Sequence, residues 1–236
     1  GIYLLPNLIT IGSLLSGVMG IHWTIQGHFD LAAWAIVLSA ILDSLDGTVA
    51  RVTRTQSLFG QELDSLSDMI AFGATPGILM FMWALQPFGK YGFGALFLYV
   101  ACTALRLARF NVQSGTVERR AFQGLPSPGA AIMIASTILL YYDMGGEGNP
   151  SRHWILLAES YVVALLMVSN IAYLSSKSLH LESVKAFQTL FLVVLALSLV
   201  VAEPTKGLFV VSFLYVASGP VLQLRRLIAR GEPVTH

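Results

Sequence analysis

The stretch LDSLDGTVARVTRTQSLFGQELDSLSD, residues 42–68, sets four aspartates, Asp43, Asp46, Asp64 and Asp68, inside a chain that reads almost everywhere else as apolar helix. A charge near the middle of a bilayer costs ~2.5–3.5 kcal/mol on insertion scales, and less near the interface. The spacing shows what the carboxylates share. At about 100° per residue, Asp43, Asp46, Gly47 and Ala50 occupy an arc of roughly 100° on one helix, while Gly60, Asp64 and Asp68 line one stripe of the next. Two acidic stripes joined by a short loop face each other. Four carboxylates so close repel, unless cations sit among them. Oxygen ligands without Cys or His point to hard ions such as Mg²⁺, Mn²⁺ or Ca²⁺, in an open cage that also suits phosphate. Gly47, Ala50 and Gly60 keep bulk away from the carboxylates, and Arg51 supplies a cation at the rim. A single carboxylate at an interface reads as a helix cap or a surface ion pair; four on two facing stripes do not.

Composition agrees with a membrane setting. The 236 residues are 55% hydrophobic and only 11% charged, with a mean hydropathy of +0.70, more apolar surface than one water-soluble core of this size hides. The net charge of +1 gives no reason to expect nucleic acid as a partner. The single cysteine, Cys102, reads as a small packing residue, and the five histidines have no zinc-site spacing. No N-terminal secretory signal is visible, and a start at Gly1 predicts that earlier residues were removed.

About eight apolar segments of spanning length follow, near 7–27, 30–52, 64–86, 91–112, 127–143, 153–175, 186–202 and 206–226, separated by polar or Gly/Pro-rich breaks. The expected fold is therefore an all-α integral membrane bundle. With a cytoplasmic N-terminus, Arg51, Arg54, Arg106, Arg109, Arg119, Arg120, Lys177, Lys185, Arg225, Arg226 and Arg230 fall inside, and Lys90, Arg152 and Lys206 fall outside. Eleven against three predicts N-in, C-in by the positive-inside rule, with the aspartates at the cytoplasmic face, where water reaches them.

The pattern Asp43-x₂-Asp46-Gly47-x₂-Ala50-Arg51-x₈-Gly60-x₃-Asp64-x₃-Asp68 resembles the full signature of the CDP-alcohol phosphotransferase family, without departure over its 26 residues. PNLITIGSLLSG, ELDSLSDMIAFGATP, ALRLARFNV and FQGLPSPGAA are similar to the prokaryotic membrane phosphatidylserine synthases, a branch of that family. The likeness covers about residues 3–135. It implies a six-helix catalytic core, residues 1–180, followed by two additional helices and a short basic tail, residues 181–236, in a homodimer in the cell membrane of a prokaryote. It also implies a CDP-diacylglycerol donor, an L-serine acceptor, CMP as the leaving group and two divalent cations, Mg²⁺ or Mn²⁺. By the same resemblance Asp43, Asp46, Asp64 and Asp68 are metal ligands, and Asp68 is also the base that takes the acceptor's proton.

Other positions follow with less pattern behind them. Asn7 and Thr10 of PNLIT reach toward the nucleotide by resemblance, although both types also start helices after Pro. Gly47, Ala50, Arg51 and Gly60 join them as donor-binding positions. Arg106 and Arg109 are expected on the transferred phosphate or the serine carboxylate, against the plainer alternative of snorkelling to lipid phosphate. GLPSP is expected to shape the entry of the fifth helix, Gly12, Ser16 and Gly20 to let the first helix pack closely, and Arg225, Arg226 and Arg230 to anchor topology.

Two rival readings stay open. A cation transporter also carries carboxylates in a bundle, but needs a path across the membrane, and these acids keep to one face. Other members of the family, with glycerol phosphate, inositol phosphate or choline as acceptor, or an archaeal ether-lipid donor, share the same cage.

Overall fold

The computed structural model describes residues 4–53, 55, 57–114, 124–150, 153–171, 173, 194–195, 198 and 200–230. Among them are seven long helices: α1 (Leu4–Ile25), α2 (Phe29–Val52), α3 (Leu58–Phe88), α4 (Lys90–Ser114), α5 (Ser127–Asp143), α6 (Trp154–Val168) and α7 (Pro204–Arg230). No strand occurs among the described residues, so the expected all-α membrane class holds. Four helices are long and apolar enough to cross a bilayer by length and composition: Leu5–Ile25, Leu58–Phe88, Lys90–Val112 and Pro204–Arg225. The predicted span at 186–202 lies largely outside the described residues, as do Arg54, Arg119, Arg120, Arg152, Lys177 and Lys185 of the charge count.

Lipid-facing ridges show on the outer helices. α1 exposes Leu5, Leu8, Ile11, Leu15 and Val18, and α2 exposes Leu31, Trp34, Leu38, Ile41 and Leu45. Steps of three and four residues draw one apolar stripe down each helix, which water would penalise and hydrocarbon accommodates. Inside, Phe72, Leu79, Trp83, Tyr99, Ile134 and Met167 are almost wholly buried. Cys102 is buried and free, in the packing role expected of it.

Polar side chains tie the helices together, as they do where hydrophobicity alone gives helices no reason to associate. Ser13 and Ser39 donate reciprocally to each other's backbone carbonyls at 3.1 and 3.0 Å. Ser16 donates to the carbonyl of Ala35 at 2.8 Å. Across α5 and α7 the hydroxyls of Ser136 and Ser212 stand 2.9 Å apart, and nearer the helix ends Lys206 and Asp143 pair at 3.7 Å.

Proline inside a helix removes the N–H owed to the carbonyl four residues back, and a bilayer offers no water to replace it. At three prolines a side chain donates to the carbonyl four residues back. Before Pro76, Phe72 O accepts from the Tyr99 hydroxyl at 3.1 Å. Before Pro87, Asn149 Nδ2 donates to both Met82 O at 2.9 Å and Trp83 O at 2.7 Å. Pro220 frees Val216 O, which accepts from the Tyr173 hydroxyl at 3.1 Å. The first two prolines accompany π-helical turns in α3, at Met69–Ala74 and Phe81–Leu85.

Two helix boundaries differ from expectation. α3 begins at Leu58 rather than at 64, because Ser57 is an extended N-cap whose hydroxyl accepts from Gly60 N at 3.0 Å. Asp64 consequently sits in the second turn instead of opening the helix. α6 stops at Val168 rather than 175, because Leu125 N donates to Leu166 O at 2.9 Å and Gly124 N to Ile171 O at 2.8 Å. Gly124 has φ of +86°, and a Cβ there would lie 2.2 Å from Met167 O. Only glycine fits that close approach. The GLPSP segment thus shapes the entry to α5, as expected.

Candidate active site

The C-terminal half of α2 and the first turns of α3 bring their carboxylates together. One oxygen from each of Asp43, Asp64 and Asp68 lies within 4.8 Å of the others, all three residues half-buried. Among the described residues this is the group of acids, histidines or cysteines able to hold a metal ion. Three such oxygens form a hard, anionic donor set that fits a divalent cation such as Mg²⁺ or Mn²⁺.

Asp46 stands apart from this close trio. It is buried, and its Oδ2 accepts from the Thr10 hydroxyl on α1 at 2.6 Å, a short charge-assisted bond. Thr10 is itself 5% exposed, and its hydroxyl also lies 3.1 Å from Pro6 O. Its hydroxyl is thus turned toward Asp46. The backbone of Thr10 also accepts from the Ser67 hydroxyl at 3.2 Å, so α1 is keyed to both acidic helices.

The small residues behave unequally. A methyl group on Gly60 would lie 3.2 Å from Ser57 Oγ and 3.3 Å from Asn7 Oδ1, so Gly60 lets Asn7 approach the start of α3. A methyl group on Gly47 would come no closer than 3.5 Å to Arg51 Nη1, and the protein's own packing leaves room there. Ala50 is half-buried on the same face of α2. Arg51 is exposed and donates to Thr48 Oγ1 at 3.1 Å, along its own helix.

On α4 the two arginines diverge. Arg106 donates from Nη1 to the hydroxyl of Ser127, the buried first residue of α5, at 3.2 Å, and it lies within electrostatic range of Asp68. Arg109 reaches Asn170, beyond the end of α6, at 3.4 Å. Two partnerships escaped the sequence reading. Ser127 sits in the segment read only as loop-shaping, and Asn111, the asparagine of RLARFN, donates to Ser65 Oγ at 3.0 Å beside Asp64. Hydroxyls and amides in these segments were the available signal, but side-chain partners across helices leave no periodic trace.

The model of the family described as CDP-alcohol phosphatidyltransferase matches residues 3–168, the span of α1 to α6. The chain belongs to the CDP-alcohol phosphatidyltransferase family. Among curated relatives of this CDP-alcohol phosphatidyltransferase, one from Helicobacter pylori, named CDP-diacylglycerol–serine O-phosphatidyltransferase, is 39% identical over 221 residues, covering 92% of this chain and 90% of that protein. One of the same name from Mycobacterium leprae is 31% identical over 225 residues, covering 92% and 73%. An archaetidylserine synthase from Methanothermobacter thermautotrophicus is 38% identical over 171 residues, covering 72% and 69%.

Proposed function

We propose that this enzyme transfers the phosphatidyl group of CDP-diacylglycerol to the hydroxyl of L-serine, releasing CMP and leaving phosphatidylserine in the bilayer. The observation that carries the reading is the Asp43–Asp64–Asp68 trio within electrostatic range of Arg106, which sets a hard-metal donor group beside a fixed cation. The names of relatives at 31–39% identity give serine as the acceptor.

Each residue has a part in that reaction. Asp43, Asp46, Asp64 and Asp68 would hold two divalent cations, Mg²⁺ or Mn²⁺. When bound, these neutralise the pyrophosphate and the departing phosphate. Asn7, Gly47, Ala50, Arg51 and Gly60 bound the cytidine diphosphate end of the donor, and Thr10 acts by holding Asp46. Asp68 takes the proton of the serine hydroxyl as its oxygen forms a bond to the phosphorus next to diacylglycerol; the bond from that phosphorus to the CMP oxygen breaks. Arg106 receives the serine carboxylate.

The reading includes a prokaryotic cell membrane, a cytoplasm-facing site, a homodimer, and a division into a core of residues 1–180 and an extension of residues 181–236. An ether-linked donor is the second reading, favoured by the archaetidylserine synthase relative. Purified enzyme offered CDP-diacylglycerol or its ether analogue, with serine, glycerol phosphate, inositol phosphate or choline in turn, tests all of this. Phosphatidylserine with stoichiometric CMP is the expected product. A lipid made from another acceptor, with none from serine, would overturn the assignment.

A further inference from the structure

α7 lies beyond residues 3–168 matched by the family model, yet it reaches the layer that holds Arg106. Tyr215, on α7, packs its ring against the first turn of α5: a Cβ on Gly129 would lie 3.1 Å from Tyr215 Cε1. Two residues before Gly129 is Ser127, which accepts from Arg106. The Arg106 guanidinium lies within electrostatic range of both the Asp68 carboxylate and the Tyr215 phenol. Arg106, on α4, thus interacts with one group on α3 and one on α7.

The ring is held in place. Tyr173 donates from its hydroxyl to Val216 O at 3.1 Å, the carbonyl left open by Pro220. The Tyr173 and Tyr215 ring centroids stand 5.6 Å apart at 48°. A Cβ on Gly219 would fall 2.4 Å from Tyr173 Cζ, so α7 seats Tyr173 one turn beyond Tyr215. On the other side Ser212 meets Ser136 of α5 at 2.9 Å. A side chain fixed from both neighbours is suited to recognition, since little freedom is lost when a ligand arrives.

Serine differs from a plain amino alcohol by its carboxylate. With its hydroxyl at Asp68, that carboxylate needs donors nearby, and Arg106 interacts with both Asp68 and Tyr215. A guanidinium carries five N–H donors, and a phenol adds an O–H donor. We propose that Tyr215 is a specificity-determining residue, whose hydroxyl joins Arg106 in holding the carboxylate of the acceptor. The extension after the core thereby becomes part of the acceptor site. This rests on the serine reading above.

The test compares L-serine with ethanolamine, the same amino alcohol without the carboxylate, in wild type and in Tyr215→Phe, which keeps the ring. Expected is a roughly tenfold rise in KM for serine, the loss of one hydrogen bond to a charged group, with KM for CDP-diacylglycerol unchanged and ethanolamine turnover no weaker. Gly129→Ala, whose Cβ would crowd the ring at 3.1 Å, is expected to raise KM for serine in the same direction. An unchanged serine KM in Tyr215→Phe, or an equal loss with both acceptors, would overturn the proposal. Failure of the serine reading itself shows separately, as wild-type enzyme that makes no lipid from serine.

Discussion

The Tyr99 hydroxyl on α4 donates to Phe72 O on α3 at 3.1 Å, the carbonyl four residues before Pro76, which has no N–H to offer it. Tyr99 is 1% exposed and Phe72 fully buried, so nothing else reaches that oxygen from solvent.

Tyr99→Phe is therefore expected to destabilise the protein by about 1–3 kcal/mol, the cost of a buried unsatisfied carbonyl. Pro76→Ala restores an N–H at the right position. In the double variant the penalty of Tyr99→Phe shrinks, because the helix again satisfies Phe72 O. Thermal unfolding of the four detergent-solubilised proteins measures the coupling, and strict additivity would remove the explanation.

The close approach of α1 to α3 depends on particular glycines. A Cβ on Gly17 would lie 2.9 Å from the backbone Cα of Ala71, whereas one on Gly12 meets only Leu42 Cδ1, at 3.6 Å. Gly17→Ala is expected to cost about 1–3 kcal/mol by overpacking, and Gly12→Ala close to nothing. Comparing their melting temperatures decides it.

That contrast shows what was legible in advance. Gly12, Ser16 and Gly20 formed a visible stripe, and Gly20 and Ser16 do meet their neighbours: Ser16 bonds Ala35 O at 2.8 Å, and a Cβ on Gly20 would lie 2.7 Å from Thr75 Cγ2. Gly17, off the stripe, makes the tightest approach of α1 to α3 backbone, because helix crossing and not periodicity along one helix sets the contact. Similarly, the spacing of the four aspartates pointed to a shared site, and Asp43, Asp64 and Asp68 do meet, since helical phase is local, while Asp46 turns to Thr10. The Thr10–Asp46 bond and the Arg106–Ser127 bond join residues 36 and 21 apart, on different helices. Neither relation is written in any one segment.

Thr10→Val keeps the shape of the side chain and removes the donor to Asp46. An outer partner of a metal ligand is typically worth 10–100-fold in metal affinity, so the Mn²⁺ needed for half-maximal activity should rise by about that factor. Thr10→Ser should return it. Mn²⁺-dependent stabilisation of the resting protein gives a readout independent of turnover; an unchanged titration in Thr10→Val would mean that the bond serves only packing.

Asp68→Asn keeps an oxygen but accepts no proton, and loss of a general base typically costs 10²–10⁴-fold in rate. CDP-diacylglycerol binding should survive better in this variant than in Asp43→Asn or Asp46→Asn, which weaken the cage itself. Equal binding losses in all three would withdraw the base assignment from Asp68.

The two α4 arginines supply the sharpest comparison. Arg106 lies within electrostatic range of Asp68 and is anchored on Ser127, while Arg109 ties α4 to Asn170 beyond α6. If the serine carboxylate docks on Arg106, Arg106→Gln removes a charge-assisted bond worth about 1.5–3 kcal/mol, which raises KM for serine roughly ten- to hundredfold. KM for CDP-diacylglycerol should stay near its wild-type value. Arg109→Gln should act mainly on stability, loosening the α4–α6 end and lowering the melting temperature with a smaller change in KM for serine. Steady-state kinetics with each substrate varied in turn, alongside thermal unfolding, separates these effects. Should Arg106→Gln weaken only the lipid nucleotide, its guanidinium holds the donor phosphate, and the acceptor carboxylate has to be sought elsewhere on the same face.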